Sequence, residues 1–246
     1  MSKINFPLSN QTILITGSAR RLGKVMALAA AISGADVILH HAHSPADVEG
    51  VAAQIRSLGR KAWVLEADLN DIEPTQKLMQ SAFSLAPVNA LINNAAIFKS
   101  LDFAHTSITD WSEHLQINLT APFLLSQAFA AQYQGKQAGR IINMLDWRAL
   151  RPGKDHFPYT ISKSALAAMT SSMALSLAPG IIVNGIALGA ILPPGDEGFS
   201  PSLIKHVPMQ RWSKLEELED LIIWLLSAPE YITGEIIHLD GGRHLV

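Results

Sequence analysis

The sequence predicts an α/β fold in which a parallel β-sheet carries helices on both faces. Short apolar, β-branched segments alternate with longer helical segments along the chain, and this alternation is typical of parallel sheets built from β-α-β units. No Pro/Gly/Ser-rich linker, charge run or internal repeat divides the 246 residues. We therefore expect residues 1–246 to form a single domain.

Each predicted strand is a short apolar run that ends near a glycine or a polar cluster. Seven such runs occur, at residues 11–16, 35–39, 61–66, 88–92, 140–145, 180–186 and 235–239. The helical segments between them are predicted at residues 24–32, 45–58, 74–84, 109–132, from Pro158 onward, and 215–226.

The composition excludes several classes of protein. With 48% hydrophobic and 16% charged residues, the chain can form a sizeable core, so a disordered protein is not expected. A net charge of −2 gives no bulk attraction to nucleic acid. There is no cysteine, no signal-peptide pattern and no apolar run of about 20 residues. We expect a cytoplasmic protein with no metal site, no disulfide and no membrane segment.

The first β-α turn has the chemistry of a dinucleotide phosphate site. A glycine breaks the first strand, and residues 18–23 lead into a helix. Glycines allow a tight turn and close approach of the backbone, and a helix N-terminus directs N–H groups at a pyrophosphate. The residues expected to contact the cofactor here are Gly17, Ser18, Arg20, Arg21, Leu22 and Gly23.

The end of the second strand favours NADPH over NADH. An NADH site usually carries an acidic residue about 20 residues beyond the glycines, whereas residues 40–44 read His-His-Ala-His-Ser. We expect His40, His43 and Ser44, together with Arg20, to bind the 2′-phosphate of NADPH. A metal-binding cluster and a merely polar strand end are alternative interpretations of these histidines.

Further cofactor contacts are expected beyond the carboxyl ends of other strands, where open α/β sheets bind ligands. Asp68 lies where adenine could be held, although it also suits a turn or an N-cap. The segment 190–212 is rich in glycine and proline and long for a connection, so it is predicted to be a lid over the substrate. The other expected contacts are Leu69, Asn94, Ala95, Ala96, Gly189 and Ile191.

A cluster of candidate catalytic residues surrounds Tyr159. Lys163 lies four residues further on and therefore shares its helix face, and an ammonium at that position is expected to lower the pKa of the phenol. Asp146 lies thirteen residues before Tyr159, at the end of a strand. A solvated helix face is the alternative explanation of the Tyr-Lys spacing. Asn118, inside an apolar helical segment, requires buried partners or a kink.

The chain resembles the short-chain dehydrogenase/reductase family over essentially its whole length. The matching residues are Thr16-Gly17, Gly23, Asp68-Leu69, Asn93-Asn94-Ala95, Asn118, Tyr159, Lys163, Asn184, Thr233-Gly234 and Asp240-Gly241-Gly242. This resemblance implies a seven-stranded Rossmann sheet, NAD(P)-dependent hydride transfer and a homotetramer, with a dimer as the alternative. It also implies a proton relay through Tyr159, Lys163 and Asn118.

Two departures from the family pattern resemble its pteridine reductase and dihydromonapterin reductase branch. Arg21 stands where the phosphate turn commonly has its middle glycine, and Asp146 replaces the common catalytic serine. In that branch an aromatic residue after the Asn-Ala segment stacks on the pterin, and Phe98 lies at this position. The resemblance implies reduction of a dihydropterin by NADPH, with Arg21, Phe98, Asp146 and Tyr159 around the substrate.

Two other functions remain open from the sequence. A carbonyl reductase acting on a 3-oxoacyl or sugar ketone would share the fold, but the serine normally used to polarise the ketone is missing. A protein that binds NADPH without turnover is the second alternative, and the intact Asn118, Tyr159 and Lys163 argue against it.

Overall fold

A computed structural model describes residues 6–193 and 201–246. Its seven strands form one parallel sheet in the order β3-β2-β1-β4-β5-β6-β7, which confirms the predicted fold class. The strands are β1 (Thr12–Ile15), β2 (Asp36–His41), β3 (Ala62–Glu66), β4 (Ala90–Asn93), β5 (Gly139–Asp146), β6 (Ile181–Leu188) and β7 (Ile236–Leu239).

Helices cover both faces of the sheet. They are α1 (Arg21–Ile32), α2 (Pro45–Ser57), α3 (Ile72–Leu85), α4 (Ile108–Leu115), α5 (Ala121–Gln132), α6 (Phe157–Leu177), α7 (Pro201–Ile204) and α8 (Leu215–Ser227). Short 3-10 turns at Trp147–Ala149 and Arg243–Leu245 and a π-helical turn at Gln116–Thr120 complete the regular structure of the described residues. None of the described helices combines the length and the apolar character needed to cross a bilayer.

Strand β1 shows how the core is divided. Ile13 and Ile15 point into a core formed with α1, α2 and α8, whereas Leu14 points into a second core formed with α3, α5 and α6. Successive side chains of a strand face opposite sides of the sheet, so a strand covered on both sides is apolar throughout. All four residues of β1 are buried.

The sheet order places the candidate site at the carboxyl ends of β1 and β4. The chain proceeds outward from β1 to β2 and β3, then returns across β1 to β4. At such a switch point the loops after neighbouring strands diverge and leave a crevice, which is where open α/β sheets bind ligands. The loops after β5 and β6 continue the same edge.

The helix predicted at residues 109–132 is interrupted. A π-helical turn at Gln116–Thr120 separates α4 from α5, and Asn118 is buried within it. Pro122 has no backbone N–H, so it cannot bond the carbonyl of Asn118 four residues before it. The irregularity at Asn118 is a π-helical turn, and the proline that follows accounts for it.

Close packing of two glycines fixes the turn after β1. A Cβ atom built on Gly23 would lie 2.1 Å from the carbonyl oxygen of Gly17, far inside van der Waals contact. We predict that Gly23→Ala lowers the free energy of unfolding by about 1–3 kcal/mol and weakens NADPH binding.

Gly50, in the interior of α2, supplies a matched control because nothing lies within 4 Å of its Cβ position. Gly50→Ala is expected to raise the free energy of unfolding by about 0.5–1 kcal/mol. Urea unfolding of both variants measures the difference. Equal effects of the two substitutions would contradict this account of the turn.

Candidate active site

The turn after β1 has the form of an anion cradle. Gly17 has φ of +62°, a conformation that favours glycine. Arg20 is the N-cap residue of α1, and no side-chain hydrogen bond caps the helix there. The N–H groups of the first helical turn therefore have no competing side-chain acceptor. Uncapped N–H groups and the positive end of the helix dipole suit a pyrophosphate. These residues therefore fit the predicted dinucleotide.

His40 is placed differently from our expectation. Its side chain is buried, with 1% exposure, rather than facing a 2′-phosphate. Nδ1 accepts from the backbone N–H of Gly17 at 3.0 Å, and Nε2 lies 3.0 Å from the carbonyl oxygen of Ala67. Burial lowers the pKa of His40 to about 4, so the ring is neutral near neutral pH. His40 therefore supports the backbone of the phosphate turn from inside the protein, and it does not face the 2′-phosphate as we expected.

The other residues expected at the 2′-phosphate lie around the start of α2. Ser44 is the N-cap of that helix. Arg20 forms an ion pair with Asp47 at 2.5 Å, and Nε2 of His43 lies 3.4 Å from a carboxylate oxygen of Asp68. Asp47 is an acidic neighbour that the sequence analysis overlooked, although its position two residues after Pro45 marks the first turn of a helix.

Thr16 connects the loops after β1 and β4. Its hydroxyl accepts from the backbone N–H groups of Asn94 and Ala95, at 2.9 and 3.0 Å. The side-chain amide of Asn94 donates to the carbonyls of Thr16 and Gly17. These bonds bring the expected cofactor residues of two loops to one wall of the crevice.

The residues after β3 form a turn at the side of this crevice. The carboxylate of Asp68 accepts from the backbone N–H of Asn70 at 2.9 Å, so the turn interpretation of Asp68 has a structural basis. Leu69 is buried, and its carbonyl accepts from the side chain of Gln116 in the π-helical turn. The turn is thereby tied to the segment that carries Asn118.

Asp146, Tyr159 and Lys163 meet at the end of β5. The Tyr159 hydroxyl donates to a carboxylate oxygen of Asp146 at 3.3 Å. The Lys163 ammonium donates to the carbonyl of Met144 at 2.6 Å and lies 5.8 Å from the centre of the Tyr159 ring. Tyr159 and Lys163 are 7% and 3% exposed, so the three side chains interact in a poorly solvated space.

The electrostatics of this cluster differ from our expectation. Burial and the charge of Asp146 raise the pKa of Tyr159 well above its ordinary value, because the nearest ionisable partner of the phenol is a carboxyl group. Burial also lowers the pKa of Lys163 to about 8. The expected lowering of the Tyr159 pKa by Lys163 is therefore wrong for this structure. The phenol is neutral and able to donate.

Burial raises the pKa of Asp146, although the backbone N–H and the charge of Arg148 act in the opposite direction. A raised pKa favours a protonated carboxyl group. The site therefore pairs a neutral phenol with a carboxyl group that is biased toward its acid form. Such a pair can pass a proton to a reacting atom in the crevice.

Asn118 connects the loop after β4 to helix α6. Its carbonyl oxygen Oδ1 accepts from the backbone N–H of Ile97, and its amide donates to the carbonyl of Ile97 and to the hydroxyl of Ser162. The Ser162 hydroxyl donates to the carbonyl of Tyr159 at 2.7 Å. The loop that carries Phe98 is thus held against α6. Ser162 gave no distinctive signal in the sequence.

Phe98 lies beside Tyr159. The two rings are 4.6 Å apart in an edge-to-face arrangement, and Phe98 remains 42% exposed. One face of Phe98 stacks on the imidazole of His156 at 4.0 Å. The sequence analysis missed His156, whose only signal was its position three residues before Tyr159.

Arg21 joins the phosphate turn to the segment after β6. Its φ of +50° explains why glycine is common at this position, since a left-handed non-glycine residue costs about 1–2 kcal/mol. The guanidinium donates to the carbonyl of Pro193 at 2.7 Å. Gly189 packs against Asp240, and Ile191 is buried.

The predicted lid, residues 190–212, is described only in part, because residues 194–200 lie outside the described residues. Its described portion includes α7. The contact between Arg21 and Pro193 joins the beginning of this segment to the phosphate turn. A role in covering the substrate stays a prediction.

Known proteins identify the family. The short chain dehydrogenase family matches residues 11–201, and the chain belongs to this family of oxidoreductases. A 3-oxoacyl-[acyl-carrier-protein] reductase of Synechocystis sp. is 28% identical over 96% of this chain and 97% of its own. A 2-dehydro-3-deoxy-D-gluconate 5-dehydrogenase of Escherichia coli is 31% identical, covering 96% of each chain.

The chain is also similar to a solved structure of a differently named enzyme. FolM alternative dihydrofolate reductase 1 from Brucella canis, complexed with NADP, has a TM-score of 0.90 and 32% identity. The match covers 97% of this chain and 96% of that one. Proteins of comparable similarity thus include a 3-oxoacyl-[acyl-carrier-protein] reductase, a gluconate-type dehydrogenase and an alternative dihydrofolate reductase.

The buried imidazole of His40 predicts a specific pH dependence of stability. The unfolded chain takes up a proton near pH 6.5 and the folded chain only near pH 4. The free energy of unfolding should therefore fall as the pH drops through this window, by on the order of 3 kcal/mol from this group alone. His40→Asn, whose amide can still accept from Gly17, should flatten the decline.

Urea unfolding at pH 7 and pH 4.5 measures this effect, with His206→Asn as the control because that residue is exposed. The control should decline as the wild type does. An equally steep decline in His40→Asn would contradict the proposed titration of His40.

Proposed function

We propose that this oxidoreductase uses NADPH to reduce a dihydropterin, of the dihydromonapterin or dihydrobiopterin type, to its tetrahydro form. The observation that carries the proposal is the arrangement of Asp146, Tyr159 and Phe98. A carboxyl group contacts the catalytic phenol at 3.3 Å, and a half-exposed aromatic ring lies 4.6 Å from the same phenol. The NADP-bound FolM neighbour supports both the cofactor and the substrate class.

The carboxyl group suits reduction of a C=N bond. When bound, NADPH supplies the hydride, which goes to C6 of the dihydropterin while N5 gains a proton. Both a ketone oxygen and the pterin N5 must gain a proton, but the serine hydroxyl that normally polarises the ketone oxygen is replaced here by the carboxyl group of Asp146. Burial raises the pKa of Asp146, so this residue can hold a proton and pass it to Tyr159 or directly to the substrate.

Residues of three loops would hold the cofactor. The turn at residues 17–23 suits the pyrophosphate, and Arg20 would exchange Asp47 for the 2′-phosphate, with His43 and Ser44 nearby. The Lys163 ammonium, which donates to the carbonyl of Met144, is on the helix face that would meet the nicotinamide ribose. The expected contacts Asn94, Ala95, Ala96, Gly189 and Ile191 line the same edge of the sheet.

Phe98 would bind the flat ring system of the substrate. Because His156 covers one of its faces, the exposed remainder of the ring is available for stacking on a pterin. Stacking between Phe98 and the nicotinamide would hold C6 in a near-attack geometry. Arg21, anchored at Pro193, would approach the pterin from the side of the phosphate turn.

We also propose that the protein is cytoplasmic and forms a homotetramer, with a dimer as the alternative. The assembly follows from the family resemblance, and the location from the expectation drawn from the sequence. Size-exclusion chromatography with light scattering tests the assembly directly. A monomer over the whole concentration range would contradict it.

A carbonyl reductase is the second candidate. Its support is the 3-oxoacyl reductase relative, which matches 97% of its own length. The candidate predicts that Asp146→Ser improves turnover of a 3-oxoacyl ester, because the substitution restores a hydroxyl donor. Loss of that turnover in the variant would count against it.

We predict that Asp146→Ala and Tyr159→Phe each lower the turnover of 7,8-dihydrobiopterin by at least about 100-fold. NADPH binding, followed by fluorescence titration, should change little, because both changes act on the proton path. NADPH oxidation against dihydropterins and a 3-oxoacyl ester gives the comparison. Wild-type activity on the ester alone would contradict the proposed substrate.

Phe98→Ala should raise the KM for the dihydropterin by about 10-fold, because a base–aromatic stacking contact is worth about 1–3 kcal/mol. Phe98→Tyr should retain most of the affinity. Phe103→Ala is the control, since Phe103 is 76% exposed and contacts Phe157 rather than Tyr159. An equal effect of the two alanine substitutions would contradict a role for Phe98 in stacking.

A further inference from the structure

We propose that Arg148 is the positioning residue that holds the Asp146 carboxyl group in line to pass a proton toward Tyr159 and the substrate. This inference rests on the proposed function. Arg148 follows Asp146 by two residues and begins no recognised motif. Its role comes from contacts that the chain makes only when folded.

The two carboxyl oxygens of Asp146 have different hydrogen-bond donors. Oδ1 accepts from the backbone N–H of Arg148 at 2.9 Å and lies 3.6 Å from its guanidinium. Oδ2 is left to accept from the Tyr159 hydroxyl at 3.3 Å. The backbone N–H of residue 148 thus holds Oδ1, and the charge of the Arg148 side chain lies on the same side of the carboxyl group, away from the phenol.

The second observation is that the Arg148 guanidinium is itself held firmly. It donates to the carboxylate of Asp155 at 3.0 Å, and its Cζ lies 4.8 Å from the centre of the Trp147 ring and 5.9 Å from that of Phe98. The side chain is only 14% exposed. His156, which stacks on Phe98, donates to the same carboxylate. One cation thus connects the proton site to the stacking ring.

The third observation is an unsatisfied donor. Nε of Arg148 is buried and has no hydrogen-bond acceptor within the described part of the chain. A buried N–H without a partner costs about 1–3 kcal/mol, so a residue that served packing alone would be better replaced by an apolar one. Arg148 therefore does more than fill space between its neighbours.

The charges facing Asp146 determine what Arg148 does to its proton. Tyr159 and Lys163 face it from α6, and Arg243 faces it from the C-terminal turn across Trp147. Burial raises the pKa of Asp146, and the N–H and charge of Arg148 are the largest influences that lower it. Removal of the Arg148 charge therefore raises that pKa further.

The direction of this pKa change predicts a shift in the pH dependence of turnover. If Asp146 acts in its protonated form, turnover falls as the pH rises through the pKa of the pair. Without the Arg148 charge, the same fall occurs at a higher pH. A side chain that only stabilised the fold would lower turnover at every pH and leave the position of the fall unchanged.

The experiment measures kcat and KM against pH for the full chain with saturating NADPH and 7,8-dihydrobiopterin. Arg148→Gln should lower kcat at neutral pH by on the order of 10–100-fold, as expected for a misplaced catalytic group, and should move the alkaline fall upward. Arg148→Lys keeps the charge, so its alkaline fall should stay near that of the wild type. Arg151→Gln is the matched control, because its exposed guanidinium contacts the carbonyl of Arg243 instead.

An alkaline fall at the wild-type pH in Arg148→Gln would overturn the inference, as would identical profiles for the Gln and Lys variants. If Arg148→Gln does not fold, Asp155→Asn is measured instead. That substitution weakens the ion pair that holds the Arg148 guanidinium and leaves Asp146 unchanged. An unchanged kcat in Asp155→Asn would then overturn the inference. A wild type inactive on every dihydropterin would instead contradict the proposed function, so the two failures are distinguishable.

Discussion

The hydrogen bond between Tyr159 and Asp146 is the contact on which the site depends. It joins a helix to the end of the central strand β5, and it places two acids side by side in a space from which water is largely excluded. Burial raises the pKa of both groups, which favours their protonated forms. A serine at position 146 could accept the same bond but has no carboxyl group that titrates in this range.

The surrounding fold holds this contact in place from two directions. On one side, Asn118 lies in the π-helical turn and forms hydrogen bonds with both the loop after β4 and Ser162 of α6. On the other side, the backbone N–H of Arg148 donates to the second oxygen of Asp146. Because Pro122 interrupts the helical bonding just after Asn118, the irregular turn is built into the chain and does not depend on a ligand.

Much of the fold followed from the sequence, because each strand is an apolar run and both faces of the sheet are covered. The spacing of Asp146, Tyr159 and Lys163 also predicted a shared site. The sequence could not predict the hydrogen-bond partner of each polar side chain. His40 was expected at the surface but lies behind the phosphate turn, and the ammonium of Lys163 bonds a carbonyl while the phenol bonds a carboxyl group. These choices depend on distances between segments far apart in the chain, which periodicity does not encode.

The protonation state of Asp146 is the most direct test of this account. Carbon-13 NMR of labelled aspartate carboxyl groups, with NADP⁺ bound and Asp146→Asn used for assignment, follows the titration of this one residue. We expect Asp146 to titrate above the ordinary aspartate pKa of about 3.9, and we expect Tyr159→Phe to alter that titration. A carboxyl group that titrates at or below the ordinary value would be ionised throughout the working range, and would contradict its role as the proton source.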